Sequence, residues 1–159
     1  MTIPVDLGKV TPVREVVGED QADTDLLRQM ARRAEAYLKT FSWCPAIVEQ
    51  YLGYGVGGII AVFLFRLASK AGDTDDWLWV VEGDAPSAYL VADNAPDATS
   101  ALSVYCDLME SWAHAVLNDS PLRDVFPVAA PVTPEVANML LSRMSFVREE
   151  IIPKSQSRQ

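Results

Sequence analysis

No lysine or arginine stands between Asp73 and Asp119, while ten carboxylates do. The whole chain of 159 residues has a formal net charge of -9, so its acidity belongs to this one stretch. A basic stripe, which phosphate binding requires, is missing, and this argues against nucleic acid as a partner. The same sign of charge repels anionic membrane surfaces. Cysteine is scarce: Cys44 and Cys106 lie far apart, and no Cys-x-x-Cys offers a zinc or redox motif. Both read as reduced thiols, with a single bridge as the alternative. His114 is the only histidine, which excludes a two-histidine metal site and a relay of histidines. The longest uncharged apolar run, Gly53 to Phe65, falls short of the roughly 20 residues that span a bilayer. Met1 to Asp6 shows no charged segment followed by an apolar one, so no signal peptide is expected and a cytoplasmic protein is. Internal repeats and low-complexity segments are absent from the sequence.

What is present points to one folded domain. The hydrophobic fraction of 50% is too high for a disordered chain. A chain of this length buries roughly two-thirds of its unfolded surface without help from disulfides or metal. Residues 1–22 read as an arm, extended or poorly ordered, 23–152 as the domain, and 153–159 as a polar tail.

Leu27, Met30, Ala34, Tyr37 and Phe41 recur at helical steps and predict an amphipathic helix over 25–40, capped by Asp23 or Thr24. On its polar side, Arg32 and Arg33 are candidates to pair with acids elsewhere. Pro45 stops helical structure. Two strands follow, 47–54 and 59–67, around Gly53-Tyr54-Gly55-Val56-Gly57-Gly58. The second strand is apolar on both faces, so it should be central and covered on both sides. A turn over 71–76 precedes a third strand, 77–82. A fourth, 89–92, follows the Gly83-Asp84-Ala85-Pro86 turn. Asn94-Ala95-Pro96-Asp97 opens a helix to 118, and Thr133-Pro134-Glu135 opens a last one that Pro153 closes. The expected class is α+β: a three- to four-stranded antiparallel meander packed with about three helices. The helix at 97–118 covers the sheet, and those at 25–40 and 134–151 pack beside it.

The glycine run resembles a phosphate loop only superficially. A strand follows it instead of a helix N-terminus, and no lysine does, so it reads as a hairpin turn or bulge. Asp73-x-Asp75-Asp76 is similar to the first half of a calcium loop, but the glycine and the terminal glutamate are missing. His114 reads as a surface residue, and Cys106 as a packed one. Trp77 and Trp79 share one face of their strand and read as core, with a groove beside Tyr89 as the sharper possibility. Gly83, Asp84 and Pro86 explain themselves as a turn, while Asp84 and Tyr89 stay candidates because loops at strand ends carry function.

The run Trp77-Leu78-Trp79-Val80-Val81-Glu82-Gly83-Asp84-Ala85-Pro86-Ser87-Ala88-Tyr89, with Asn94-Ala95-Pro96 and a Trp-bearing helix after it, resembles a family of small uncharacterised bacterial proteins. Members show a Trp-rich strand, then Gly-Asp-x-Pro-x-x-Tyr, then a helix opening near Asn-Pro. The likeness covers residues 43–118. The family pattern has an acid just before the tyrosine, where this chain has Ala88. The resemblance therefore implies a bacterial cytosolic protein and no shared catalytic acid pair.

These observations lead to a non-enzymatic acidic interaction protein, an immunity or antitoxin-like inhibitor of a basic protein partner. Asp73, Asp75, Asp76, Glu82, Asp84, Asp107 and Glu110 would supply the field, and Trp77, Tyr89 or Trp112 the apolar anchor. No cofactor, metal, nucleic acid or membrane is expected. One alternative is a small carboxylate- or metal-dependent hydrolase using the acids of the 73–84 segment. Another is a homo-oligomeric adaptor with surplus strand surface at its subunit interface.

Overall fold

The apolar run Ile60–Leu67 needs cover on both faces, and the rest of the chain supplies it as two layers of helix. The structure is a computed structural model, and it describes residues 3–68 and 76–156. Five antiparallel strands lie in chain order: β1 (Thr11–Pro12), β2 (Ile47–Val56), β3 (Ile60–Leu67), β4 (Asp76–Gly83) and β5 (Ala88–Val91). Helix α1 (Gln21–Lys39) precedes β2, while α2 (Ala98–Leu117), α3 (Pro134–Phe146) and the short α4 (Ile152–Gln156) follow the sheet. Among the described residues the meander therefore has five strands where three or four were expected. The extra one is two residues long and contains Pro12, so it carries no alternation to read. Of the expected turn over 71–76, residues 71–75 lie outside the described residues, and Asp76 already belongs to β4.

Register sorts the core. β3 and β4 pair Phe63 with Val80 and Leu64 with Trp79, so alternate side chains meet on opposite faces. Val62, Leu64, Trp79, Val81 and Leu90 pack with Leu102, Tyr105, Met109 and Trp112 of α2, and with Leu140 and Met144 of α3. Ala61, Phe63, Phe65, Leu78 and Val80 pack with Leu27, Met30, Ala34 and Leu38 of α1. Each large side chain buried this way contributes about 1.5–3 kcal/mol. Helix α1 thus covers the face opposite α2 instead of lying beside it. The physical reason is the double-sided apolar surface of β3 and β4, which one helical layer cannot bury. Buried Val5 and Val10 join the α2 side and Val16 the α1 side, so the arm wraps the sheet edge.

Boundaries shift for identifiable reasons. Helix α1 starts at Gln21 because the Asp20 carboxylate accepts from the Asp23 N–H at 2.8 Å. Asp23 and Thr24, either of which was expected as the cap, lie inside the helix, and Asp23 accepts N–H groups of Glu19 and Gly57 at 2.9 and 2.8 Å. Helix α2 is capped by Asp97, which accepts from the Ser100 N–H at 2.8 Å. Strand β2 runs past Tyr54 because Gly53 is a bulge residue between Leu52 and Tyr54. A Cβ at Gly53 would sit 2.7 Å from the Trp79 ring and 3.0 Å from the Ala98 Cβ. Pro153 does not end the last helix. A π turn over Val147–Ile151 precedes it, and helix resumes to Gln156. The wider turn relieves the clash and the missing N–H that proline brings to a regular α-helix.

Candidate functional site

Strand β4 ends where the chain must pass hard against the β2–β3 turn. A Cβ at Gly83 would lie 2.3 Å from the Ile59 carbonyl oxygen, a backbone atom that cannot swing away. The next N–H, of Asp84, donates to that same oxygen at 2.9 Å. Glycine is therefore required by close approach, and it aims Asp84 to Ser87 across the end of the sheet. Ser87 Oγ folds back to donate to Glu82 Oε2 at 2.6 Å.

Three helices each send one side chain to this turn. Arg33 of α1 places Nε 3.8 Å from Glu82 Oε1. Tyr105 of α2 donates its hydroxyl to the Pro86 carbonyl at 2.7 Å. Arg143 of α3 holds the Asp84 carboxylate at 2.8 Å and also donates to the Asp84 carbonyl. Glu82 is 8% exposed, and its guanidinium and hydroxyl partners offset the cost of burying a carboxylate.

Beside the turn, Tyr89 of β5 is the centre of an aromatic group. Its ring centroid lies 5.2 Å from Phe41, 5.1 Å from Trp43, 5.7 Å from Phe126 and 6.4 Å from Tyr37. Trp43 stacks on Phe41 at 5.4 Å and 27°. Offset and edge-on pairs of this kind add about 0.5–1.5 kcal/mol beyond area burial. Trp43 remains 38% exposed, so its outer face is presented to solvent. Burial pushes the Tyr37 phenol up to about 12, with Tyr89 and Glu82 adding to the shift. Tyr37 is therefore a protonated donor across the physiological range.

The sequence-derived candidates divide into separate places. Asp73 and Asp75 lie outside the described residues. Asp76 is exposed at the start of β4, Glu82 and Asp84 stand at the turn, and Tyr89 follows it in β5. Asp107 and Glu110 form a second group on α2, where Arg148 contacts both at 2.7 Å. The Arg148 guanidinium holds the Glu110 carboxyl below its usual range. Trp77 and Trp112 are core residues, and Trp77 stacks on Tyr51 at 6.3 Å. Neither is positioned as an anchor, because a buried ring offers no face to a partner.

Residues missed in the sequence are Trp43, Phe41, Tyr37 and Phe126 around Tyr89, and Arg143 and Arg148, which hold Asp84, Asp107 and Glu110. Tyr37 of α1 and Phe41, two residues past its end, continue one apolar stripe in the sequence, which hides that the end of this stripe reaches β5. Arg33 does pair with an acid, as its position allowed, while Arg32 has no ion pair among the described residues.

Other chemistry is limited by environment. Both cysteines are free. Burial pushes the Cys106 thiol up to about 12 and also raises that of Cys44, so neither is a ready thiolate at neutral pH. Among the described residues, no three His, Cys, Asp or Glu side chains converge as a metal site needs, and no helix is long and apolar enough to cross a membrane. No family model, curated protein or solved structure matches the chain. What the arrangement offers chemically is recognition: an exposed indole on an aromatic bed, beside carboxylates that are already hydrogen-bonded.

Proposed function

We propose that this chain is a non-enzymatic interaction protein of the immunity or antitoxin-like kind, which binds a basic protein partner through the aromatic rim at Tyr89. The observation that carries the reading is Trp43, exposed at 38% yet held by Phe41 and Tyr89. A fixed, partly exposed indole suits a binding hot spot, because little freedom is lost when a partner covers it. The same ring face attracts a lysine or arginine side chain by about 0.5–2 kcal/mol. Asp93 and Asp124 are exposed and have no ion pair among the described residues, and Asp124 shares its segment with Phe126. The net charge of -9 would steer a basic partner towards the chain. The anchor in this reading is Trp43 with Tyr89, in place of Trp77 or Trp112. A bacterial cytoplasmic setting goes with the family resemblance and remains part of the proposal.

Co-purification on the tagged chain at low salt tests it. One stoichiometric basic protein, released by a salt step, is the expected result. Trp43→Ala should weaken that partner about 30-fold, the loss of roughly 2 kcal/mol that marks a hot spot. An acidic partner, or equal binding by the Trp43→Ala chain, would refute the reading. Self-association that Trp43→Ala abolishes would replace it with the homo-oligomeric one.

A further inference from the structure

The sheet edge opposite β5 is finished in another way. β1 pairs with β2 at Tyr51 and Leu52, and the chain then leaves the edge in a single turn over Val13–Glu15. Among the described residues, Ile47 to Gln50 therefore have β3 on one side and no strand on the other. A groove of about 370 Å³ runs along this half-strand, between Pro12–Arg14 and Ile47–Tyr51. A hollow of about 200 Å³ adjoins it, sharing Val13, Arg14 and Gln50, and is walled by Arg28 and Arg32 of α1.

The charge of this place is opposite to that of the chain. Its carboxylates are already engaged: Glu49 by Arg66 at 2.6 Å, and Glu35 by Gln50 at 2.5 Å and Lys39 at 3.7 Å. The arginines are loosely held. Arg14 meets Glu15 at 3.6 Å with both side chains mostly exposed, and Arg28 donates to the Val16 carbonyl at 3.2 Å. Arg32 has no ion pair among the described residues. Gln50 reaches Glu35 on α1, so the side of the strand that faces α1 is the side where the arginines stand.

We propose that this edge binds a short extended peptide segment bearing carboxylates, contributed by a protein partner. Backbone groups of β2 would continue the pairing that β1 abandons at Pro12. Alternate side chains of the added segment would then project towards α1, where Arg14, Arg28 and Arg32 offer forked donors to carboxylates. The bulge at Val48 shortens the usable edge, so the guanidinium contacts carry most of the affinity and make it salt-dependent.

The test uses the full chain and two fluorescein-labelled hexapeptides, one alternating glutamate with valine and one alternating lysine with valine, followed by anisotropy at low salt. The glutamate peptide should bind saturably at one per chain. Arg28→Glu with Arg32→Glu should weaken it by about tenfold or more, and Arg28→Gln with Arg32→Gln by an intermediate factor. Trp43→Ala should leave it unchanged, which separates this inference from the aromatic anchor. Equal binding of the lysine peptide, unchanged binding by the arginine variants, or full displacement by inorganic phosphate at the peptide's own concentration would overturn it. So would a dimer that dissociates in the Arg28→Glu, Arg32→Glu chain, which would make a second copy the occupant.

Discussion

Four acids of the 76–119 stretch and two arginines of α1 fare oppositely when the chain folds. Glu82, Asp84, Asp107 and Glu110 come from the segment without any basic residue, yet each meets an arginine delivered by a helix from elsewhere. Arg28 and Arg32 sit in a helix that also holds Asp23, Asp25 and Glu35, yet neither meets a carboxylate among the described residues. Charge along the sequence thus overstates the acidic face and hides a basic groove. Folding redistributes charge over distances in sequence of 38 residues for Arg148 with Glu110 and 59 for Arg143 with Asp84. A partner reads the folded pattern, so the two regions are expected to attract different chemistry.

The largest effect should come from breaking the turn that gathers the compensated acids. Gly83→Ala sets a methyl group against the Ile59 carbonyl and the Ile60 Cα. The backbone must move, at a cost of about 3 kcal/mol. Urea unfolding should show this as a lower midpoint with an unchanged slope. A neutral result would mean that the turn does not need the close approach.

A smaller effect is expected at Arg148. Because Glu110 has its folded carboxyl depressed by this guanidinium, its contribution is present above the unfolded value of about 4.3 and lost as pH falls through the folded one. Arg148→Met should therefore cost about 2 kcal/mol at pH 7, and the gap from the parent chain should narrow as the solution is acidified. A gap that stays constant with pH would show that Arg148 acts by packing alone. Smallest is the exposed pair at the turn. The double-mutant cycle of Asp84→Ala with Arg143→Ala should return a coupling of about 1 kcal/mol or less, reduced further by salt.

Much of this architecture was legible beforehand, and the parts that were not share a cause. The two-sided apolar run of β3 announced a central strand covered twice, and Thr133-Pro134 announced the start of α3. Gly83-Asp84-Ala85-Pro86 announced a turn, and Tyr89 stood out beside it. An amphipathic stripe tells that a helix has a buried face but not which side of a sheet receives it, so α1 was misplaced. β1 was invisible because two residues have no period. The site was legible as acids and a tyrosine, whereas Trp43, Phe126 and the arginines that complete it come from distant segments with no local pattern joining them.

The exposed aromatic rim and the arginine-lined edge are proposed as two independent recognition surfaces. The most direct test measures one basic partner, recovered on the parent chain, against both Trp43→Ala and Arg28→Glu with Arg32→Glu. A loss of about 30-fold is expected for the first and no loss for the second. A partner that ignores Trp43 and depends on the arginines would contradict it.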